Sequence, residues 1–199
     1  PQLLWVEDST EAEAIDLMLT IDLSASMLSQ DFTPDRLSVV KDLSNEFVNR
    51  RKNDRIGLTV FAGNAFNQCP LTNDHRILKA FINNMQVGRL PDGTAIGMGL
   101  ATAVNHLKDS SSVSKAVILM TDGENNSGNI MPLQAAAIAK ALGVRVYVIG
   151  MGKDGEVASP VARKSDGSYA FGMRDMVLDT KSLEAVAAAA DGKFFRAET

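Results

Sequence analysis

Four short runs of the chain are apolar almost without interruption, at 15–22, 56–61, 116–120 and 144–149. Each is rich in Val, Ile or Leu and either ends in Asp or is followed within two residues by Asp or Gly. Half-buried strands would alternate between apolar and polar positions, so continuous runs this short predict strands covered on both faces. Helical patterns lie between them. Thr33-Pro34-Asp35 reads as a helix start, with a capping hydroxyl, proline at the first helical position and an acid in the first turn. Leu37, Val40, Leu43 and Phe47 then share one face. Ile96, Gly99, Leu100, Ala103, Val104 and Leu107 recur at helical spacing and form an apolar stripe. The alanine-rich stretch 132–142 stops at Gly143, a suitable C-terminal cap. Leu183, Val186, Ala187 and Ala190 mark a last helix that ends at Asp191-Gly192.

Strands alternating with helices predict an α/β fold, a doubly wound and mostly parallel sheet with helices on both faces. Residues 63–71 read as a short antiparallel edge strand paired to the run before it. Residues 150–179 are less regular and are expected to hold an extra hairpin around 169–177. Residues 1–14 are polar and acidic and read as a lead-in segment, leaving 15–199 as a single domain. There is no internal repeat and no low-complexity tract.

Composition narrows the function classes. The chain has 199 residues, 20 Lys plus Arg against 24 Asp plus Glu, and a formal charge of −4. A nucleic-acid scaffold would carry a basic footprint, so no nucleic-acid partner is expected. Hydrophobic residues make up 45% and charged residues 22%, the balance of a globular protein rather than a disordered one. One cysteine, Cys69, excludes an intrachain disulfide and a cysteine-rich zinc site. No apolar run approaches the roughly 18 residues of a membrane span.

In an open parallel sheet, ligands bind beyond the carboxyl ends of the strands, where the strand order reverses. Asp22-Leu23-Ser24-Ala25-Ser26 follows the first strand, and Thr121-Asp122-Gly123 follows the third of the four runs. Asp92-Gly93-Thr94-Ala95 precedes the striped helix. Two carboxylates and three hydroxyls would gather there, all oxygen donors. Such a set selects a hard cation, Mg²⁺ or Mn²⁺, over zinc or copper. Asp22, Ser24, Ser26, Thr94 and Asp122 are therefore the candidate metal residues, with one coordination position left for a ligand. Each element also has a plainer reading: serine hydroxyls bond local backbone, Thr94 caps a helix, and Asp122-Gly123 is a turn. Glu124-Asn125-Asn126 is either a solvated loop or the rim at which a partner would sit.

The spread motif Asp22-x-Ser24-x-Ser26, Thr94, Asp122 resembles the metal-ion-dependent adhesion site of von Willebrand factor type A domains. The stretches Asn53-Asp54-Arg55-Ile56-Gly57, Gln68-Cys69-Pro70-Leu71-Thr72, Asp92-Gly93-Thr94-Ala95-Ile96-Gly97 and Gly99-Leu100-Ala101-Thr102-Ala103-Val104 are similar to bacterial BatA-type proteins of the aerotolerance operon. The resemblance implies that Ser24, Ser26 and Thr94 touch the metal and that Asp22 and Asp122 act largely through water. It implies a protein partner whose acidic side chain completes the metal shell. It also implies inner-membrane anchoring through segments absent from this chain, a periplasmic domain, and association with other Bat-type proteins and a MoxR-type AAA+ ATPase system. Ala25 departs from the pattern, since glycine often stands between the two serines. If that position needs positive φ, alanine costs about 1 kcal/mol.

The expected function is thus a non-catalytic, Mg²⁺-dependent interaction module. A magnesium hydrolase or phosphatase on a similar sheet is the alternative, with Asp22 as nucleophile. Such an enzyme usually carries a second acid two residues on, where Ser24 stands, and a lysine at a later strand end. Lys115 lies at the wrong end of its strand. A structural domain with a vestigial metal site is the third reading. His75, His106, Cys69 and the Gly97-x-Gly99 pair lack the context of a catalytic or nucleotide site.

Overall fold

The computed structural model describes residues 14–123 and 125–197. The expected lead-in therefore lies, apart from Ala14, outside the described residues, as does Glu124. The four apolar runs are strands β1 (Asp16–Asp22), β2 (Arg55–Phe61), β4 (Lys115–Thr121) and β5 (Val144–Gly150). They form a six-stranded sheet with the edge strands β3 (Ala65–Thr72) and β8 (Phe194–Arg196), in the order β3-β2-β1-β4-β5-β8. All neighbouring pairs are parallel except β2 with β3. β1 pairs with β2 on one side and β4 on the other, so the chain's winding reverses between β1 and β4. In sheets of this kind ligands bind at such a reversal, beyond the strands' carboxyl ends.

All seven residues of β1 are buried, which is why its pattern is continuous. Leu17, Leu19 and Ile21 face a core shared with α1 (Arg36–Asn49) and α2 (His75–Asn83), through Leu37, Val40, Val48, Leu78 and Ile82. Met18, Val117, Leu119, Val146 and Val148 face the opposite core. There α3 (Ile96–Leu107), α4 (Pro132–Ala141) and α5 (Thr180–Ala189) contribute Leu100, Val104, Ala135, Ala139, Leu183 and Val186. Each fully buried Leu or Val contributes roughly 1.5–3 kcal/mol. Gly99 lets α3 press onto β2: a Cβ there would lie 2.6 Å from the Phe61 ring.

Several local expectations are corrected. Thr33 does not cap the first helix; Asp35 occupies the cap and its side chain accepts from Ser38 N at 2.7 Å, so Pro34 precedes the helix. An Asp carboxylate aimed at free backbone N–H groups outcompetes a hydroxyl two residues earlier. Leu43 is exposed rather than part of the core face. The extra hairpin is larger than expected, β6 (Gly155–Arg163) with β7 (Tyr169–Met176), a separate two-stranded sheet. Strand β8 and helix α2 go beyond the sequence reading, because three residues are too few for a period and the nine of α2 give a short one.

Candidate metal centre

Asp22 ends β1 fully buried. Its Oδ1 accepts from Ser24 N at 2.8 Å, and its Oδ2 accepts from Thr121 Oγ1 at 2.6 Å. Both oxygens are thereby aimed, and each keeps a free lone pair. Leu23 N bonds Phe61 O at 2.6 Å and turns the chain off the sheet. A single turn of 3-10 helix, Ala25–Leu28, follows with Ser24 at its N-cap. The cap bends Ser24 and Ser26 to one side, and their hydroxyl oxygens lie 3.0 Å apart. Ser26 Oγ donates to Asp122 Oδ1 at 2.8 Å. A hydroxyl has one proton, so the Ser24 hydroxyl is the donor in the Ser24–Ser26 bond. The protons run from Ser24 to Ser26 to Asp122, and each serine oxygen retains a lone pair. Ala25 carries no strain, since among the described residues the only non-glycine with positive φ is Asp191.

Thr94 approaches from the loop before α3 and is buried. Its N donates to Asn126 Oδ1 at 2.8 Å, and its O accepts from Asn126 N at 3.0 Å and Ser127 N at 3.3 Å. Thr94 Oγ1 lies 3.7 Å from where a Cβ on residue 123 would stand, facing the loop that carries Asp122. It does not cap α3. Ala95 occupies the cap position without a side-chain bond, and Asn125 Oδ1 accepts from Gly97 N at 3.2 Å instead. Asn125 and Asn126, read as solvated loop or rim, thus brace the threonine loop with their side-chain oxygens, although Asn126 is also exposed at the surface. The structure brings Asp22, Ser24, Ser26, Thr94 and Asp122 to one edge of the sheet.

Arg36 was missed in the sequence. It is 1% exposed and opens α1. Nη1 donates to Asp122 Oδ2 at 2.5 Å; Nε and Nη2 grip Asp31 bidentately, each at 2.7 Å. A signal existed: a cation in the first turn of a helix opposes the helix dipole, so it needs acids nearby.

The charge balance follows from these contacts. Burial first, and the charge of Asp122 second, push the Asp22 carboxyl up to about 7. Burial also raises Asp122, although Arg36 and Ser26 pull the other way. Asp31 falls below the usual carboxylate range, because its bonds from Arg36 and from Lys153 N outweigh its own burial. Asp31 and Asp122 pair with the one guanidinium, while Asp22 has Asp122 as its charged neighbour and, among the described residues, no ion-pair partner. A divalent cation would offset the negative charge gathered there. Among the described residues no three His, Cys, Asp or Glu side chains come together to hold a metal. A cation here would rest mainly on hydroxyls, with carboxylates behind them, a donor set that suits a hard ion.

The family model for the von Willebrand factor type A domain matches residues 16–198. The chain is similar to the conserved hypothetical protein BatB of Bacteroides thetaiotaomicron, whose crystal structure superposes with a TM-score of 0.81 at 30% identity, covering 94% of this chain and 91% of that one. It is equally similar to an aerotolerance-related membrane protein of Bacteroides fragilis, with a TM-score of 0.81 and 30% identity over 94% of this chain and 92% of that one. An uncharacterized protein of Borreliella burgdorferi is 31% identical over 181 residues, 90% of this chain and 53% of its own length. The chain thus spans about half the length of the curated relatives it matches. With its fold, its motif order and these relatives in agreement, the chain belongs to the von Willebrand factor type A domain family and is related to the Bat-type aerotolerance proteins.

Proposed function

We propose that this domain is a non-catalytic, Mg²⁺-dependent protein–protein interaction module of a membrane-associated bacterial complex. The observation that carries the reading is the directed chain Ser24–Ser26–Asp122, which leaves serine lone pairs, rather than protons, for a cation. Ser24, Ser26 and Thr94 would hold the metal directly, and Asp22 and Asp122 would act through water. Bound Mg²⁺ supplies a positive centre with an exchangeable position, which an acidic side chain of a partner fills. Mn²⁺ is the natural substitute. Asn125 and Asn126, beside the start of α3 and Thr94, would form the rim of that face. The hydrolase reading finds less support. Each Asp22 oxygen already accepts a hydrogen bond, and the serine hydroxyl protons are spent on one another and on Asp122.

Membrane association is proposed from the relatives, one of which is described as a membrane protein. No helix among the described residues is long and apolar enough to cross a membrane. Anchoring would use segments outside this chain, with the domain on the periplasmic side. Other Bat-type proteins and a MoxR-type AAA+ ATPase system are the candidate company. Capture of partners from a solubilised membrane extract, in Mg²⁺ and in chelator, tests the reading. Capture that is equal in both conditions overturns it.

A further inference from the structure

We propose that Arg36 is a positioning residue of the metal centre: through Asp122 it sets the direction of the Ser24 and Ser26 hydroxyls, and through Asp31 it ties that setting to the β6–β7 hairpin. The inference rests on the metal-binding reading above. The guanidinium is planar and its donors form a fixed fork. Its Nε and Nη2 both bond Asp31, and its Nη1 reaches Asp122 Oδ2, so three contacts fix the plane. With Oδ2 of Asp122 held, Oδ1 stays where it accepts the Ser26 proton. Without that hold the carboxylate is free to turn. Ser26 then loses its acceptor, and its lone pairs are no longer aimed at the metal position.

The other arm reaches across the top of the sheet. Asp31 Oδ2 accepts from Lys153 N at 2.8 Å, just past β5. Gly152 lies against the guanidinium: a Cβ there would stand 3.2 Å from Nη2, and its φ of +152° suits glycine. Beside Asp31, Gln30 N bonds Ala158 O at 2.9 Å and Ser29 Oγ donates to the buried Ser159 Oγ at 2.9 Å. Arg36 therefore anchors the loop that seats the hairpin on the metal loop. Charge alone does not require this arrangement, because a lysine would neutralise Asp122 but could not grip both acids in one plane.

The test is Mg²⁺ titration calorimetry on the parent chain, Arg36→Met, Arg36→Lys, Asp122→Asn and the double variant Arg36→Met/Asp122→Asn. Circular dichroism in chelator checks that each is folded. Loss of a group that orients metal ligands typically costs 10- to 100-fold in affinity. Arg36→Met is expected to weaken Mg²⁺ binding about 10-fold, with Arg36→Lys in between. If Arg36 acts through Asp122, the double variant binds no more weakly than Asp122→Asn alone. A folded Arg36→Met that binds Mg²⁺ as the parent does overturns the role, as do losses that multiply in the double variant. Should Arg36→Met not fold, Arg36→Lys carries the test, and parent-like affinity there overturns the role equally. A parent chain that binds neither Mg²⁺ nor Mn²⁺ overturns the metal reading and this one together. A parent that binds while the Arg36 variants are unaffected overturns this one alone.

Discussion

Ser26 donates its hydroxyl proton to Asp122 Oδ1 at 2.8 Å, joining residues 96 positions apart in the chain. One comes from the loop after β1 and the other from the end of β4, strands that are neighbours only because the sheet reverses its winding between them. Behind that bond stands Arg36, which holds the second oxygen of the same carboxylate. The hydrogen bond and the ion pair together join the loops after β1 and β4 to the start of α1.

Asp122→Ala is expected to abolish metal-dependent partner capture and to leave the fold in place. The substitution removes the acceptor for Ser26, while Arg36 keeps its bidentate bond to Asp31. The two apolar cores lie on the faces of the sheet, and Asp122 belongs to neither. Calorimetry in chelator should show one cooperative transition for parent and variant alike. Undiminished capture by the variant in Mg²⁺ would mean that recognition occurs elsewhere.

Metal preference is expected to follow the donor set. Mg²⁺ and Mn²⁺ should bind, and equimolar Zn²⁺ should not displace Mg²⁺. Competition calorimetry on the parent and on Ser24→Ala measures this. Zinc displacing Mg²⁺ in the parent but showing no such effect in Ser24→Ala would refute the preference. Zinc bound at His75 or His106 does not count; His75 Nε2 already lies 3.0 Å from Asp54 O, remote from the serine loop.

Asn126→Ala should loosen Thr94 without touching the metal. It leaves the N of the buried Thr94 without its acceptor, at a stability cost of about 1–3 kcal/mol. Asn125→Ala uncaps α3 at Gly97 and should cost about 1 kcal/mol. Both variants should bind Mg²⁺ more weakly than the parent. Denaturant melts and Mg²⁺ titration check the two effects separately, and Asn126→Ala with parent-like values in both would contradict the bracing role.

Acid should weaken the fold from the other end of the sheet. Asp16 is buried at the start of β1; its carboxylate accepts from Arg55 Nε at 2.7 Å, from Arg55 Nη2 and from Ser110 Oγ. Burial alone would raise its pKa, but these bonds outweigh it and hold the carboxyl below its ordinary value. A depressed folded-state pKa contributes stability that is present above the unfolded value, about 3.9, and is lost as pH falls through the folded one. Asp16→Asn should be less stable than the parent at pH 7. The gap should narrow as pH falls below about 4. Arg55 is 44% exposed, so screening keeps the ion-pair part small, on the order of 1 kcal/mol. A gap independent of pH from 7 to 3 would show that Asp16 is not the group responsible.

Much of the architecture was legible because its signals are local. β1, β2 and β4 are buried on both faces, so their apolar runs needed no knowledge of their neighbours. β5 is covered on one face only: Val144, Val146 and Val148 are buried, while Arg145 is exposed and Tyr147 and Ile149 are half-buried, so the expectation of cover on both faces fails there. The stripe of α3 and the stop at Gly143, with φ of +67°, follow from helix period and backbone stereochemistry. Asp22, Ser24, Ser26 and Asp122 became candidates through their places at or just after the ends of β1 and β4, and Thr94 through its place just before α3.

What the tertiary structure decided are the contacts whose partners are distant in sequence. That Asn125 caps α3 and Asn126 clamps Thr94 depends on the loop after β4 folding across the helix start. That Arg36 is buried at all, against the preference of a cation for solvent, depends on Asp31 and Asp122 arriving on two sides of it. Hydrophobic period registers burial of side chains in water-excluding layers. It carries no information about which polar groups meet once those layers have closed, because a hydrogen bond is specified by direction and distance in space.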